Sequence, residues 1–450
     1  MIDYKVQIAQ IIAKQEIGLT AEEIVEMIEV PADSKNGDFA FPCFRLAKVM
    51  RKAPQMIAAD IAAAIEAESI FEKVEQVNAY VNMFICKDVF VRNVVSEVAS
   101  RGTEYGKSDV GEGKKVIVEF SSPNIAKPFH IGHIRSTVIG NSIYKLYDAT
   151  GYDVVRINHL GDYGTQFGKM IVAYRLWGNE EELEQNPIKS LLKYYTKFHE
   201  EAEKDPTLDD KARETFAKLE SGDAEEVELW KRFRELSLEE FSRVYKMLDI
   251  EFDSYAGESF YSDKMPAVLQ ELKDKNLMHE SRGAQIVDLV DYDMPPAVIT
   301  KSDGSSLYAT RDIAAAIYRK QHYNFYKNIY VVATQQNLHF KQWKQVLALM
   351  GYVWEEDCIH VPFGLVSLEE GTMSTRKGRV VFLEDVLNKA VDKTREIISE
   401  KDTNGIDIDE IAKQVGIGAV IFQELSNNRI KDYVFSWDKI LNFDGETGPY

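Results

Sequence analysis

The stretch Val116-Ile-Val-Glu-Phe-Ser-Ser-Pro-Asn-Ile-Ala-Lys-Pro-Phe-His-Ile-Gly-His133 decides the fold. Its β-prone start, Val116 to Phe120, runs into a polar turn broken by Pro123 and Pro128. A helix pattern follows, with Ile134, Val138 and Leu146 on one apolar stripe and Gly151 at the C-terminal cap position. Asp153 to Ile157 reads as the next strand, so the unit is βαβ and its sheet is parallel. His130 and His133 straddle Gly132 where the first strand hands over to the helix. Open α/β sheets bind ligands at that point, and a helix N-terminus attracts phosphate. Imidazoles there can donate hydrogen bonds to phosphate oxygens, and Gly132 lets a flat base approach the backbone. Taken alone, His-x-Gly-His suits a structural turn with two surface histidines equally well.

A second motif, Met373-Ser-Thr-Arg-Lys-Gly378, combines small residues, two cations and a glycine, a composition able to close over a triphosphate. By itself it reads as a solvated basic turn. Together with Pro123-Asn-Ile-Ala-Lys-Pro128 and His-Ile-Gly-His, it looks like the paired signatures of a class I aminoacyl-tRNA synthetase. The wider set resembles the arginyl-tRNA synthetase family, and the resemblance runs to Tyr450. That set includes Ser121-Ser-Pro-Asn124, Gly161-Asp-Tyr-Gly164 and Tyr308-Ala-Thr-Arg-Asp312. It implies an α/β fold, with a split Rossmann-like parallel-sheet catalytic domain carrying a helical insertion. A small α+β N-terminal domain precedes this and a helical segment follows it. It also implies ATP-dependent activation of arginine and transfer to tRNA(Arg), with magnesium carried on the ATP.

The residues divide the chain accordingly. Residues 1–110 read as an α+β module: Thr20 and Glu23 form a capping box, Gly37-Asp38 a turn, Pro54 to Ala64 a helix, and Val77 to Ile85 a strand. By resemblance this module binds the corner of the tRNA. Residues 111–385 form the nucleotide-binding domain, with a charged, helix-rich insertion at about 176–250 and a second half resuming near Ile286. Ile329 to Ala333 reads as a strand and Phe340 to Met350 as an amphipathic helix. Residues 386–450 read as a helical stem with Ile417, Val420, Ile421, Leu425 and Ile430 on its periodic positions. In the family this stem leads into an anticodon-binding domain. The sequence reading is therefore a truncated chain that binds arginine and ATP, holds tRNA weakly, and activates arginine slowly or not at all.

Composition fits that picture. A chain of 450 residues with 45% hydrophobic content has room for two or three cores. It contains no run of about 18 apolar residues, and residues 1–15 carry charges instead of an apolar signal core, so a cytoplasmic protein, not a membrane one, is expected. Cys43, Cys86 and Cys358 are too scattered for a zinc site and read as free thiols. A net charge of -19 disfavours indiscriminate RNA adsorption but leaves room for local basic tracks. Arg45/Lys48/Arg51/Lys52 and Arg376/Lys377/Arg379 are the candidates. A monomer is expected.

Joining a carboxylate to the α-phosphorus of ATP requires no protein nucleophile, only positioned anions and neutralised charge. His130 and His133 suit donors to the triphosphate, and Gly132, Met373, Ser374 and Thr375 complete the ATP-binding set. Most class I synthetases carry a second lysine in the late motif, where this chain has Ser-Thr-Arg. Arginyl enzymes share that departure, and Lys127 is the substitute the resemblance implies, with Arg376 and Lys377 closing on the phosphates. For arginine, the resemblance marks Ser122, Asn124, Glu258, Tyr308, Asp312 and Gln336. Tyr308 and Asp312 stand four apart on a helix and so share a face, which suits a guanidinium. A small-molecule nucleotidyltransferase, a class I synthetase for another amino acid, and a non-catalytic tRNA-binding relative are the competing readings. Lack of thiolate zinc ligands weighs against the cysteine enzyme. The intact Lys127, His130, His133 and Asp312 weigh against decay.

Overall fold

The computed structural model describes residues 3–300, 308–367, 381–399, 407–437 and 448. It divides into two compact units, Met1–Lys107 and Ser108–Tyr450. The first contains helices α1 (Tyr4–Ala13), α2 (Ala21–Met27), α3 (Leu46–Met50), α4 (Pro54–Ile65) and α5 (Lys87–Arg101). Its strands β1 (Phe39–Pro42), β2 (Phe71–Val77) and β3 (Tyr80–Ile85) form an antiparallel sheet in the order β1-β3-β2. Ile8, Ile24, Phe41, Ile57, Val81 and Met83 make its core. Thr20 and Glu23 form the expected capping box. The strand expected from Val77 to Ile85 is instead the end of a hairpin, turning at Asn78 with φ 52°. The preceding strand escapes a period-two reading because the register shifts between Phe71 and Lys73, and charged residues occupy that segment.

The second unit opens with β4 (Lys115–Glu119), α6 (Ile134–Ala149), β5 (Asp153–Ile157) and α7 (Thr165–Trp177). The insertion supplies α8 (Glu180–Gln185), α9 (Pro187–Ala202), α10 (Thr207–Glu220) and α11 (Ala224–Met247), followed by α12 (Met265–Asp274). Then come β6 (His279–Ser281), β7 (Ala284–Val287), β8 (Ala297–Thr300), α13 (Tyr308–Tyr323), β9 (Lys327–Ala333), α14 (Asn337–Leu349), β10 (Cys358–Phe363) and β11 (Val366–Ser367). Helices α15 (Leu383–Ser399) and α16 (Ile408–Ser426) and strand β12 (Tyr433–Val434) complete the described elements.

Strands β10-β9-β4-β5 lie in that order, all parallel. Val116, Ile117 and Val118 are fully buried, as a central parallel strand covered on both faces requires. From β4 the chain passes one way to β5, then returns on the other side as β9. The switch point of this doubly wound fold therefore lies between the carboxyl ends of β4 and β9. The two signature histidines sit on the connection leaving β4 at that end.

In this second unit three sequence readings need correction. Leu146 is 65% exposed although Ile134 and Val138 are buried. Eight residues beyond Val138 put it about 80° round the helix, at 100° per residue, and α6 is emerging from the sheet by then. Gly151, with φ 83°, does take the left-handed cap position. The segment at Ile286 belongs to a separate antiparallel sheet, β6-β7-β8; the parallel sheet resumes only at Lys327. Arg282 and Gly283, both at positive φ, form the two-residue hairpin turn that produces it. Beyond α16 the chain returns as β12, paired with β11, leaving Leu425 and Ile430 exposed. Arg135, wholly buried in α6, ties the two ends of this unit together. It donates to the carbonyls of Gly364 and Lys431 at 2.8 Å each and pairs with Glu424 of α16 at 3.4 Å. Among the described residues no helix is long and apolar enough to cross a membrane.

Candidate active site

The loop leaving β4 is strained and firmly held. Ser121, Ser122 and Ala126 all have positive φ, at 69°, 47° and 57°. Non-glycine residues there cost about 1–3 kcal/mol each, so their surroundings must over-determine the conformation. The Ser121 N–H donates to Ser136 Oγ at 2.9 Å, and the Ala126 N–H donates to Ser237 Oγ at 2.8 Å. Ser121 Oγ meets the buried Tyr245 hydroxyl at 2.8 Å, which also accepts from Asn158 Nδ2 at 2.9 Å. Ser237 and Tyr245 belong to α11, so the insertion buttresses the loop. On the far side the Gly161 N–H donates to the Pro123 carbonyl at 3.0 Å. A Cβ at Gly161 would stand 2.3 Å from Asn124 Oδ1, so a side chain there would push the Asn124 amide out of its place. Asn124 is left exposed at the crevice and Ser122 partly so.

His130 and His133 pack with ring centroids 4.0 Å apart, their planes tilted by 35°. The Gly132 N–H donates to His130 Nδ1, and the His130 N–H donates to His133 Nδ1, each at 3.1 Å. An accepting Nδ1 is unprotonated, so each neutral ring carries its proton on Nε2 and can donate from there. Burial pushes His130 down to about 4, assisted by the Lys127 charge. Burial, the neighbouring His130 and Lys127 also hold His133 well below 6.5, although its hydrogen bond to His130 opposes the shift. Both rings are therefore neutral near pH 7. Lys127 reaches over the Tyr195 ring at 5.7 Å and donates to Gln166 Oε1 at 3.2 Å. The Ile131 N–H donates to the Val381 carbonyl at 3.0 Å and the Leu383 N–H to the Phe129 carbonyl at 2.9 Å. This clasps residues 381–383 against the first signature.

An acidic cluster lies beyond β5. Asp162, fully buried, accepts from the Ser259 N–H at 2.8 Å, from Ser259 Oγ at 2.9 Å and from Arg234 Nε at 3.1 Å. This pins the segment carrying Glu258, and a Cβ at Gly257 would collide with Asp162 Oδ1 at 2.6 Å. Glu258 pairs with Arg311 at 3.3 Å, and that guanidinium lies over the Tyr163 ring at 4.9 Å. Burial pushes Glu258 up to about 7; Arg311 pulls it back, while Asp312 and Asp162 add to the rise. Asp312, near the start of α13, meets His339 Nε2 at 2.5 Å. Gln336 stands exposed just past the end of β9. Beneath these groups Glu119, the last residue of β4, pairs with the buried Arg319 at 2.5 Å.

The fold thus gathers Ser122, Asn124, Lys127, His130, Gly132 and His133 on one loop. It brings Asp312 close enough to Glu258 to help raise it, with Gln336 at the same sheet end. Tyr308 opens α13 as the spacing anticipates, but its side chain lies outside the described residues. So do Met373, Ser374, Thr375, Arg376 and Lys377. The sequence reading assigned no role to Asp162, Arg311, Ser237, Tyr245 or His339. Asp162 and Arg311 carried a signal, their places in Gly161-Asp-Tyr-Gly164 and Tyr308-Ala-Thr-Arg-Asp312. Among the described residues no cluster of His, Cys, Asp or Glu could hold a metal ion, so no protein cage for magnesium is assigned.

A doubly wound parallel sheet with His-x-Gly-His at its switch point and a helical insertion defines a class I aminoacyl-tRNA synthetase catalytic fold. Residues 94–437 match the family model for the class I (R) tRNA synthetase catalytic domain, and residues 3–85 match the arginyl-tRNA synthetase N-terminal domain. The chain belongs to the arginyl-tRNA synthetase family. It is 62% identical over 450 residues to an arginine–tRNA ligase of Clostridioides difficile (strain 630), covering 100% of this chain and 80% of that protein. Another from Halothermothrix orenii is 60% identical with the same coverage. Among solved structures, Plasmodium falciparum arginyl-tRNA synthetase superposes with a TM-score of 0.69 at 25% identity, over 99% of this chain and 78% of that one. The Thermus thermophilus arginyl-tRNA synthetase gives 0.71 at 22% identity, over 100% and 80%, and speaks for the fold alone.

Proposed function

We propose that this chain activates arginine with ATP, forming arginyl-adenylate and pyrophosphate, and transfers the arginyl group to tRNA(Arg). The observation that carries the reading is the pairing of two neutral imidazoles, each with Nδ1 already engaged and Nε2 left to donate, with a separate carboxylate cluster at one end of one parallel sheet. The donors suit phosphate oxygens, which gain charge as the leaving group departs. Lys127 follows that charge as a mobile ammonium. Asp312, with Glu258 behind it, supplies the negative field a guanidinium needs, and Ser122, Asn124 and Gln336 serve the polar remainder of the amino acid. Arg376, Lys377 and Met373 to Thr375 complete the ATP set, with magnesium carried on the phosphates. Residues 1–110 serve as the tRNA-corner module and 386–450 as the stem of the catalytic domain, 111–385. The same reading has the protein working in the cytoplasm as a monomer.

Calorimetric titration with arginine and with citrulline, its uncharged near-isostere, tests the amino-acid assignment. Arginine should bind on the order of a hundredfold or more tightly, because citrulline leaves the carboxylates without a counter-charge. Equal affinity for the two would refute the assignment.

A further inference from the structure

Asp312 is already engaged by a residue of this chain. His339, in the first turn of α14, reaches across to the start of α13 and places Nε2 2.5 Å from Asp312 Oδ2. The two side chains keep 25% and 30% exposure, so their protons exchange with solvent. Burial opposes charge on this imidazole, but the hydrogen bond and charge of Asp312 outweigh it and hold His339 above 6.5. Helix α14 packs on α13, β8, β10 and the turn at Val353–Asp357. Strand β8 brings no titratable side chain. Strand β10 brings Cys358, buried and held protonated, and His360, which burial holds low. In the turn, Glu355 pairs with Lys344 and Asp357 with Lys327, and Glu356 is exposed. On the Asp312 side, the carboxylate is felt by Glu258, His159 and Tyr330. Asp312 is thus the anion to which His339 answers.

We propose that His339 is a positioning residue for Asp312, and that arginine binds with the loss of a proton from this pair. The inference rests on Asp312 being the guanidinium partner. Two cations on one carboxylate repel each other, so the incoming guanidinium favours the neutral imidazole. Neutral His339 keeps its Nε2–H on Oδ2, fixing the carboxylate plane, and its Nδ1 proton passes to solvent. Oδ1 then turns to the guanidinium. The charges balance: an imidazolium and a guanidinium enter the exchange, and a guanidinium and a solvated proton leave it. Arginine affinity should therefore rise with pH through the His339 titration, on the order of tenfold for each unit by which the ligand lowers its pKa.

Calorimetry of arginine binding near neutral pH, in buffers of different ionisation heat, counts the protons released. Glu258 titrates in the same range, so the comparison is between the wild-type protein and His339→Gln, whose amide can still donate to Oδ2. The variant should release fewer protons, show a flatter pH profile, and bind arginine more tightly than wild type at about pH 6. His339→Ala, lacking the donor, should bind more weakly than wild type above the His339 titration and more weakly than His339→Gln throughout. As a measurement free of substitution, the His339 imidazole resonance of the wild-type protein should titrate at lower pH with saturating arginine. An unchanged titration, or His339→Gln releasing as many protons as wild type, would overturn the proposal. No arginine binding by the wild-type protein would instead sink the functional reading on which it rests.

Discussion

Tyr245→Phe removes one oxygen atom more than 100 residues along the chain from the first signature, yet should damage the site. The Tyr245 hydroxyl accepts from Asn158 Nδ2 at 2.9 Å and meets Ser121 Oγ at 2.8 Å. Tyr245, Asn158 and Ser121 are 2%, 0% and 6% exposed, so water cannot replace the lost partner. The phenyl ring keeps its contacts with Phe129 and Phe252, so little packing is lost. Ser121 Oγ retains Thr137 as a donor at 2.8 Å, whereas the Asn158 amide loses its hydroxyl acceptor. A buried orphaned donor costs about 1–3 kcal/mol and the second lost bond about 1 kcal/mol, together about 2–4 kcal/mol. Part of that loss falls on Ser121 and Ser122, whose left-handed conformations are then held by fewer bonds. Urea denaturation should show the stability loss, and pyrophosphate exchange should show a lower turnover at saturating ATP and arginine. A variant within about 0.5 kcal/mol of wild type, with unchanged turnover, would refute the buttressing of this loop by α11.

Lys127→Ala should lower the activation rate strongly while changing the Michaelis constant for ATP little, since the ammonium acts on charge that develops in the transition state. A normal rate with only a raised Michaelis constant would contradict this. Asp312→Asn should weaken arginine binding by about 2 kcal/mol, roughly 30-fold, at the lower end of the range for a truncated charge pair because Asp312 keeps 30% exposure. Unchanged calorimetric affinity would rule its role out. His130 sits at about 4 in the folded chain against 6.5 ordinarily. Between those values the unfolded chain takes up a proton that the folded chain refuses, so stability falls as pH drops from 6.5 towards 4. His130→Asn should flatten that slope in thermal unfolding, and superimposable slopes would show that the ring is not depressed.

The βαβ unit was legible because its signals are local. The β-prone run into Phe120, the glycine at 151 and the strand at 153–157 each depend on neighbours within a few residues. The gathering of Lys127, His130 and His133 followed from the same short stretch. What escaped depends on distant partners. Ser237 and Tyr245 look like ordinary residues of an amphipathic helix until the fold carries α11 against the loop after β4. His339 is three residues past the turn Thr334–Gln336 that ends β9, and nothing local in the sequence points to Asp312, 27 residues earlier. The second half of the nucleotide fold was expected to resume near Ile286, but Arg282-Gly283, both at positive φ, close a hairpin there and the parallel sheet returns only at Lys327. Leu146 failed because a helical stripe buries side chains only as far as the sheet extends beneath it.

Pyrophosphate exchange with each of the twenty amino acids, with and without tRNA(Arg), tests the central claim most directly. Arginine alone should support exchange above the amino-acid-free rate, and added tRNA should raise it. Exchange driven by any other amino acid, or none at saturating arginine, ATP and tRNA, would contradict the account.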